Sequence, residues 1–146
     1  MRYKSGSKPR FFNLQKKSDQ NSLYKLFQHN GIADVKDEYM LQEEEHFAVT
    51  HPDLIYQPSF KKLFLNHIAT LEQKAPIWQQ GCWVYFPWSA TLIHILDECA
   101  FYQVRTTRNR NLITGEEQHD FYDSKIGIIG LSIGHSIALT LALQGG

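Results

Sequence analysis

Apolar residues recur at helical spacing along several stretches of this chain. Leu23, Leu26 and Phe27 share one face from Ser22 onward, and Asn30-Gly31 supplies a stop signal. Ser59–Lys74 is the most regular stretch: Phe60, Leu63, Phe64, His67, Ile68 and Leu71 form one stripe, with Ser59 placed as N-cap. His67 lies on that stripe, where a hydrogen-bonded core histidine is favoured over a ligand. Ser89–Leu96 resumes the spacing through Leu92, Ile93 and Ile95 and predicts a further helix. Two runs read as strands. Trp83–Phe86 is aromatic and β-branched and is bounded by Gly81 and Pro87. Lys125–Gly130 is apolar without alternation, the pattern of a parallel strand buried on both faces. A Gly/Ser loop and a helix carrying Ile137, Leu139, Leu141 and Leu143 follow it. The whole predicts an α/β chain: a helix-rich region, then the first strand, loop and helix of a Rossmann-like nucleotide-binding domain.

Composition narrows this picture. The chain has 146 residues, 42% of them hydrophobic and 21% charged, enough for a folded domain. Fifteen basic and fifteen acidic residues cancel, so no global field points to nucleic acid or membrane. No apolar run reaches the roughly 20 residues that span a bilayer. Two cysteines, Cys82 and Cys99, fit a reducing, cytoplasmic setting better than a disulfide scaffold.

Residues 1–18 hold six basic residues and no acid before position 19, which predicts a solvated basic arm. Phe11 and Phe12 within it could alternatively stack on nucleic-acid bases. Residues 19–104 form the helix-rich region. There Asp34, Asp37, Glu38 and Glu43–Glu45 cluster beside His46. Metal binding is one reading of that cluster, but no second histidine stands at i+4, and a solvated helix face is favoured. Three tryptophans between residues 78 and 88 suggest core in the first place and a ligand site in the second.

Residues 105–146 carry the most specific pattern. In the loop Gly130-Leu-Ser132-Ile-Gly134, small residues permit close approach of backbone to phosphate, and the helix N-terminus behind presents free N–H groups. The dinucleotide fingerprint is incomplete, because Ser132 and His135 stand where glycines belong. Upstream, Thr114 precedes Glu117 at capping-box spacing. Arg105, Arg108 and Arg110 fall close together beside Asn109 and Asn111.

Three segments together resemble a family. WVYFPW (83–88), RNRNLITGEEQ (108–118) and IIGLSIGHSIALTLALQG (128–145) are similar, in this order, to segments of ThiF-like adenylyltransferases. These are the ubiquitin-activating-type enzymes, and the likeness is to bacterial members that also carry a nitroreductase-like domain. The likeness spans roughly residues 78–146. It implies an enzyme that uses ATP with Mg2+ to convert a carboxylate, such as that of a carrier-protein tail, into an acyl-adenylate. It further implies a homodimer, with Gly130, Ser132 and Gly134 cradling the nucleotide. Arg110 or Arg108 would neutralise the triphosphate, and Asn111 would add a supporting contact. Guanidinium suits that role because it stays charged and grips phosphate oxygens in a fork.

The resemblance also sets expectations about what lies elsewhere. The ribose-binding acid of such a fold comes about 20 residues past the loop, at the end of a second strand. The sequence therefore reads as the N-terminal portion of a larger enzyme, inactive by itself. A non-catalytic interaction module that buries its last strand and helix against a partner is the alternative. The closing LALQGG mimics the tail of a ubiquitin-like modifier, yet a helix precedes it, so Gly145 is expected to be a helix stop.

Overall fold

The computed structural model describes residues 8–29, 31–130, 132 and 134–146. The chain divides into two compact units, Met1–Phe101 and Tyr102–Gly146. Both α and β structure are present, but every strand among the described residues lies in the first unit.

That unit is built on a four-stranded mixed sheet with strand order β1-β3-β4-β2. The strands are β1 (Arg10–Phe12), β2 (Asp34–Asp37), β3 (Cys82–Phe86) and β4 (Thr91–Ile95). β3 pairs antiparallel with β1 and β4, whereas β2 runs parallel to β4. Helix α1 (Lys17–Gln28) contributes Leu23 to a core with Phe12, Leu14, Tyr85 and Leu92. Burying side chains of this size stabilises by about 1.5–3 kcal/mol each. A second core joins α2 (Tyr39–Thr50) to α3 (Phe60–Lys74) through Phe47, Phe64 and Ile68.

Several expectations change here. Residues 1–7 and Asn30 lie outside the described residues, but the remainder of the proposed basic arm is structured. Arg10–Phe12 is a sheet strand, and Phe12 is 3% exposed, so it cannot stack on a nucleic-acid base. Residues 19–104 are not simply helix-rich, since they contain three of the four strands. Ser89–Leu96 is not a helix. Leu92, His94 and Leu96 are buried, an every-second-residue pattern that becomes visible only when β3 is in place beside it. The β3–β4 hairpin turns through Ala90 at φ 52°. Ser59 sits at the N-terminus of α3 without capping it; its hydroxyl instead donates to Gln57 Oε1. Of the tryptophans, Trp78 is 50% and Trp88 41% exposed, so neither is a core residue.

One buried polar residue organises the sheet. His94 is fully buried, with Nδ1 2.9 Å from Asp37 Oδ1 and Nε2 donating to the Gln80 carbonyl at 2.9 Å. Its ring stacks with Trp83 at 4.4 Å and with Tyr39 at 4.7 Å. With both ring nitrogens engaged, burial leaves no unsatisfied polar atom on this side chain.

The second unit starts inside α4 (Glu98–Thr106). A 3-10 turn (Thr107–Asn111), α5 (Gly115–Asp123) and α6 (Gly134–Leu143) follow. Lys125–Gly130 is not a strand. The described segment pairs with no other strand, and Ile126 and Ile129 are exposed, the latter completely. A strand buried on both faces needs neighbours to receive its hydrogen bonds and side chains, and among the described residues no strand pairs with this segment. α6 forms where the sequence places it. It ends at Gly145 with φ 95°, where Gly145 N–H donates to Ala142 O and Gly146 N–H to Leu141 O at 3.0 Å. This pair of bonds is a Schellman stop, and the terminal glycines are a helix cap.

Candidate functional site

The segment 108–118 folds as a bracket whose parts serve different ends. Thr114 caps α5: its hydroxyl accepts from Glu117 N–H at 3.2 Å, while Glu117 Oε2 accepts from Thr114 N–H at 2.7 Å. This capping box satisfies donors that the first turn of a helix otherwise leaves orphaned. The bond from the Thr114 backbone, with that from its hydroxyl, holds the Glu117 carboxyl below the usual glutamate range.

Asn109 is buried and donates from Nδ2 to Gln118 Oε1 at 2.7 Å and to the Gln144 carbonyl at 3.0 Å. Gln118 Nε2 donates to Tyr102 Oη at 2.9 Å and to the same Gln144 carbonyl at 3.2 Å. The Tyr102 hydroxyl lies 3.3 Å from both the Gln118 and Gly145 carbonyls. The last carbonyls of a helix have no partners within it; here that of Gln144 is met by Asn109 and Gln118, and the Gly145 carbonyl beyond it by Tyr102. A side chain at Gly145 would find no room: a Cβ there would lie 2.6 Å from Thr106 Cγ2 and 2.9 Å from Gln118 Nε2.

The candidate nucleotide residues are distributed around this clamp. Arg108, Arg110 and Asn111 occupy the 3-10 turn and are exposed. Arg110 lines a cleft of about 320 Å3 with Thr106, Asn109, Thr114 and Gln118. Arg108 and Asn111 do not line it, and neither do Gly130, Ser132 and Gly134. Gly130 has φ 86° with open space where a Cβ would stand, so backbone conformation rather than crowding requires glycine. Ser132 is exposed in a turn, and residues 131 and 133 of the loop lie outside the described residues. Gly134 is the buried first residue of α6, and a Cβ there would lie 2.8 Å from Ile128 Cγ2. The structure thus joins the two ends of the unit, 102–118 and 144–145, and the loop glycines are not among the residues that line the Arg110 cleft.

Asn109, Gln118 and Tyr102 were not among the candidates. The signal was present: an uncharged amide between two arginines, and a glutamine four residues after a helix N-cap. Its partner is a main-chain carbonyl 35 residues away, which leaves no mark on sequence pattern.

The acidic cluster of the first unit separates in space. Asp34 and Asp37 belong to β2, and Glu43 is buried in α2 with Oε1 2.8 Å from His67 Nε2. His67 is therefore hydrogen-bonded as its position suggested, but it is partly exposed and not a core residue. Burial, with Glu43 beside it, pushes the Tyr39 phenol up. Among the described residues, no three His, Cys, Asp or Glu side chains are grouped to hold a metal ion. No helix of the described residues is long and apolar enough to cross a membrane.

The chain is 48% identical over 63 residues to a Mycobacterium tuberculosis protein described as "Uncharacterized protein MT1398". The match takes in 43% of this chain and spans only 9% of that relative's length. No family model matches, and no solved structure matches.

Proposed function

We propose that Tyr102–Gly146 is the leading part of a Rossmann-like nucleotide-binding domain, and that the natural enzyme is a ThiF-like, ATP-dependent adenylyltransferase. Its substrate is a carboxylate, which a carrier-protein tail would supply, and it works as a homodimer. One observation carries the reading. The two resembling segments of this unit are interlocked, with Asn109 and Gln118 of RNRNLITGEEQ clamping the Gln144 carbonyl that ends the IIGLSIGHSIALTLALQG helix. The clamp leaves Arg110 at a cleft beside the capped start of α5. A guanidinium there suits an oligophosphate. The long relative, of which this chain matches a small share, is consistent with a larger enzyme.

The described residues alone do not fit ATP with Mg2+. Gly130, Ser132 and Gly134 stand apart from the lining of the Arg110 cleft, and no acidic group is clustered for the metal. Unit 2 therefore supplies Arg110 and the scaffold that holds it, and no step is assigned to the nucleotide. The test is ATP–pyrophosphate exchange by the natural-length gene product. Arg110→Ala should lower exchange by about 100-fold or more, the usual cost of removing a charge-stabilising donor, without shifting the melting temperature. Exchange at the unmodified rate would remove Arg110 from the site.

A second reading has its own support. Ile129 is fully exposed, and Ile137, Leu139 and Leu143 are each more than half exposed on α6. Such a surface suits a non-catalytic module that buries this segment against a partner. Under that reading the chain self-associates or captures its partner, and ATP leaves its sedimentation and melting unchanged.

A further inference from the structure

The first unit contains a cleft of about 470 Å3 between α1 and the Trp78–Trp83 segment, remote in role from the clamp of the second unit. Its volume falls in the range of small-molecule sites, roughly 300–1,000 Å3. Leu14, Leu23 and Leu92 contribute buried apolar surface to it. Tyr24, Phe27, Trp78 and Trp83 give it four aromatic side chains. Tyr24 is 63% and Trp78 50% exposed, so these rings stand open to solvent instead of closing over the leucines.

Trp83 is fixed from two directions. Its indole N–H donates to the Trp78 carbonyl at 2.8 Å, and its ring lies within 2° of parallel to His94. His94 is itself held at both nitrogens. An aromatic wall locked in this way does not have to be ordered when a ligand arrives.

Among the described residues, the polar side chains that line it are the carboxamides of Gln20 and Asn21 and the phenol of Tyr24. Gln20 Nε2 is committed to the Leu14 carbonyl at 2.6 Å, which orients its amide. Among the described residues, no Asp, Glu, Lys, Arg or His lines the cleft. A ligand charge would enter without a counter-charge, at a desolvation cost that nothing here offsets. A saturated ring would forfeit the face-to-face and edge contacts that aromatic walls offer.

We propose that this cleft is a binding site for a small, flat, uncharged heteroaromatic molecule. Its ring packs among Tyr24, Trp78 and Trp83, and its polar edge meets the Gln20 and Asn21 carboxamides.

The test uses the 146-residue chain and three probes: indole, cyclohexanol and indole-3-acetate. Indole N–H resonances of the three tryptophans report occupancy, with Trp88 as internal reference because it does not line the cleft. Indole should shift the Trp78 and Trp83 signals saturably and leave Trp88 in place. Cyclohexanol and indole-3-acetate should bind at least about tenfold more weakly. Trp78→Ala should weaken indole binding by about tenfold or more. That variant retains the backbone carbonyl that holds Trp83 and removes only a half-exposed side chain. Tyr24→Ala, on the open face of α1, should act the same way. Non-saturating shifts, cyclohexanol binding equal to indole, or unchanged affinity in both variants would each overturn the assignment.

Discussion

Asn109 Nδ2 donates to the carbonyl of Gln144, 3.0 Å away across 35 residues of chain. A side chain in the turn after α4 thereby closes the C-terminus of α6. The same nitrogen meets Gln118, so one buried amide ties together three segments of the second unit.

Removing that amide should loosen the whole unit. Asn109→Ala is expected to cost about 1–3 kcal/mol, because the Gln144 carbonyl and the Gln118 amide oxygen lose a donor. Asn109→Asp should cost more than alanine, since it sets a carboxylate against two acceptor oxygens. Amide hydrogen exchange along α6 checks both. Protection in Asn109→Asp equal to wild type would mean that the clamp contributes nothing.

Glu117 should give the second unit an acid-sensitive helix start. Its carboxyl is held low by the Thr114 backbone N–H and hydroxyl, so its ionised form is favoured in the folded state. The resulting stabilisation is complete above the ordinary glutamate value, roughly 4.3. It is lost as pH falls from there through the lower folded value. Glu117→Gln can retain capping-box hydrogen bonding but has no proton to take up. Helicity followed from pH 6 to pH 3 should therefore decline further in the wild type than in the glutamine variant. Parallel curves would disprove the linkage.

The two thiols should differ in reactivity. Neither is in a disulfide; Cys99 is exposed on α4, whereas Cys82 is half-buried at the start of β3. Burial, reinforced by Asp19, Asp97 and Glu98, pushes the Cys82 thiol up, although a backbone contact from Phe12 opposes this. At pH 8 the thiolate of Cys82 is correspondingly scarce, and thiolate is the reacting form. Iodoacetamide labelling followed by peptide mass spectrometry should show Cys99 modified first by a wide margin. Equal rates would indicate that β3 opens readily.

Features written in contiguous residues could be read without a structure. α3 needs only its stripe from Phe60 to Leu71, and the α5 capping box needs only Thr114 and Glu117 three positions apart. The stop at Gly145 is signalled by a glycine just past the apolar helix, where positive φ is needed. Each depends on bonds within a few positions, so local spacing determines it.

The tertiary structure decided everything that required a partner distant in the chain. Leu92, Ile93 and Ile95 satisfy helical spacing as well as strand spacing, and only pairing with β3 and β2 makes Thr91–Ile95 a strand. Phe12 sits in a basic stretch, yet its place beside Trp83 in the sheet puts it in the core. Lys125–Gly130 has the composition of a buried strand, but composition provides no neighbour to receive its hydrogen bonds. Arg110 could be named as a candidate from its segment, whereas Asn109 could not. A guanidinium announces its chemistry by itself, while a buried amide acquires its role from the carbonyl that the fold brings to it.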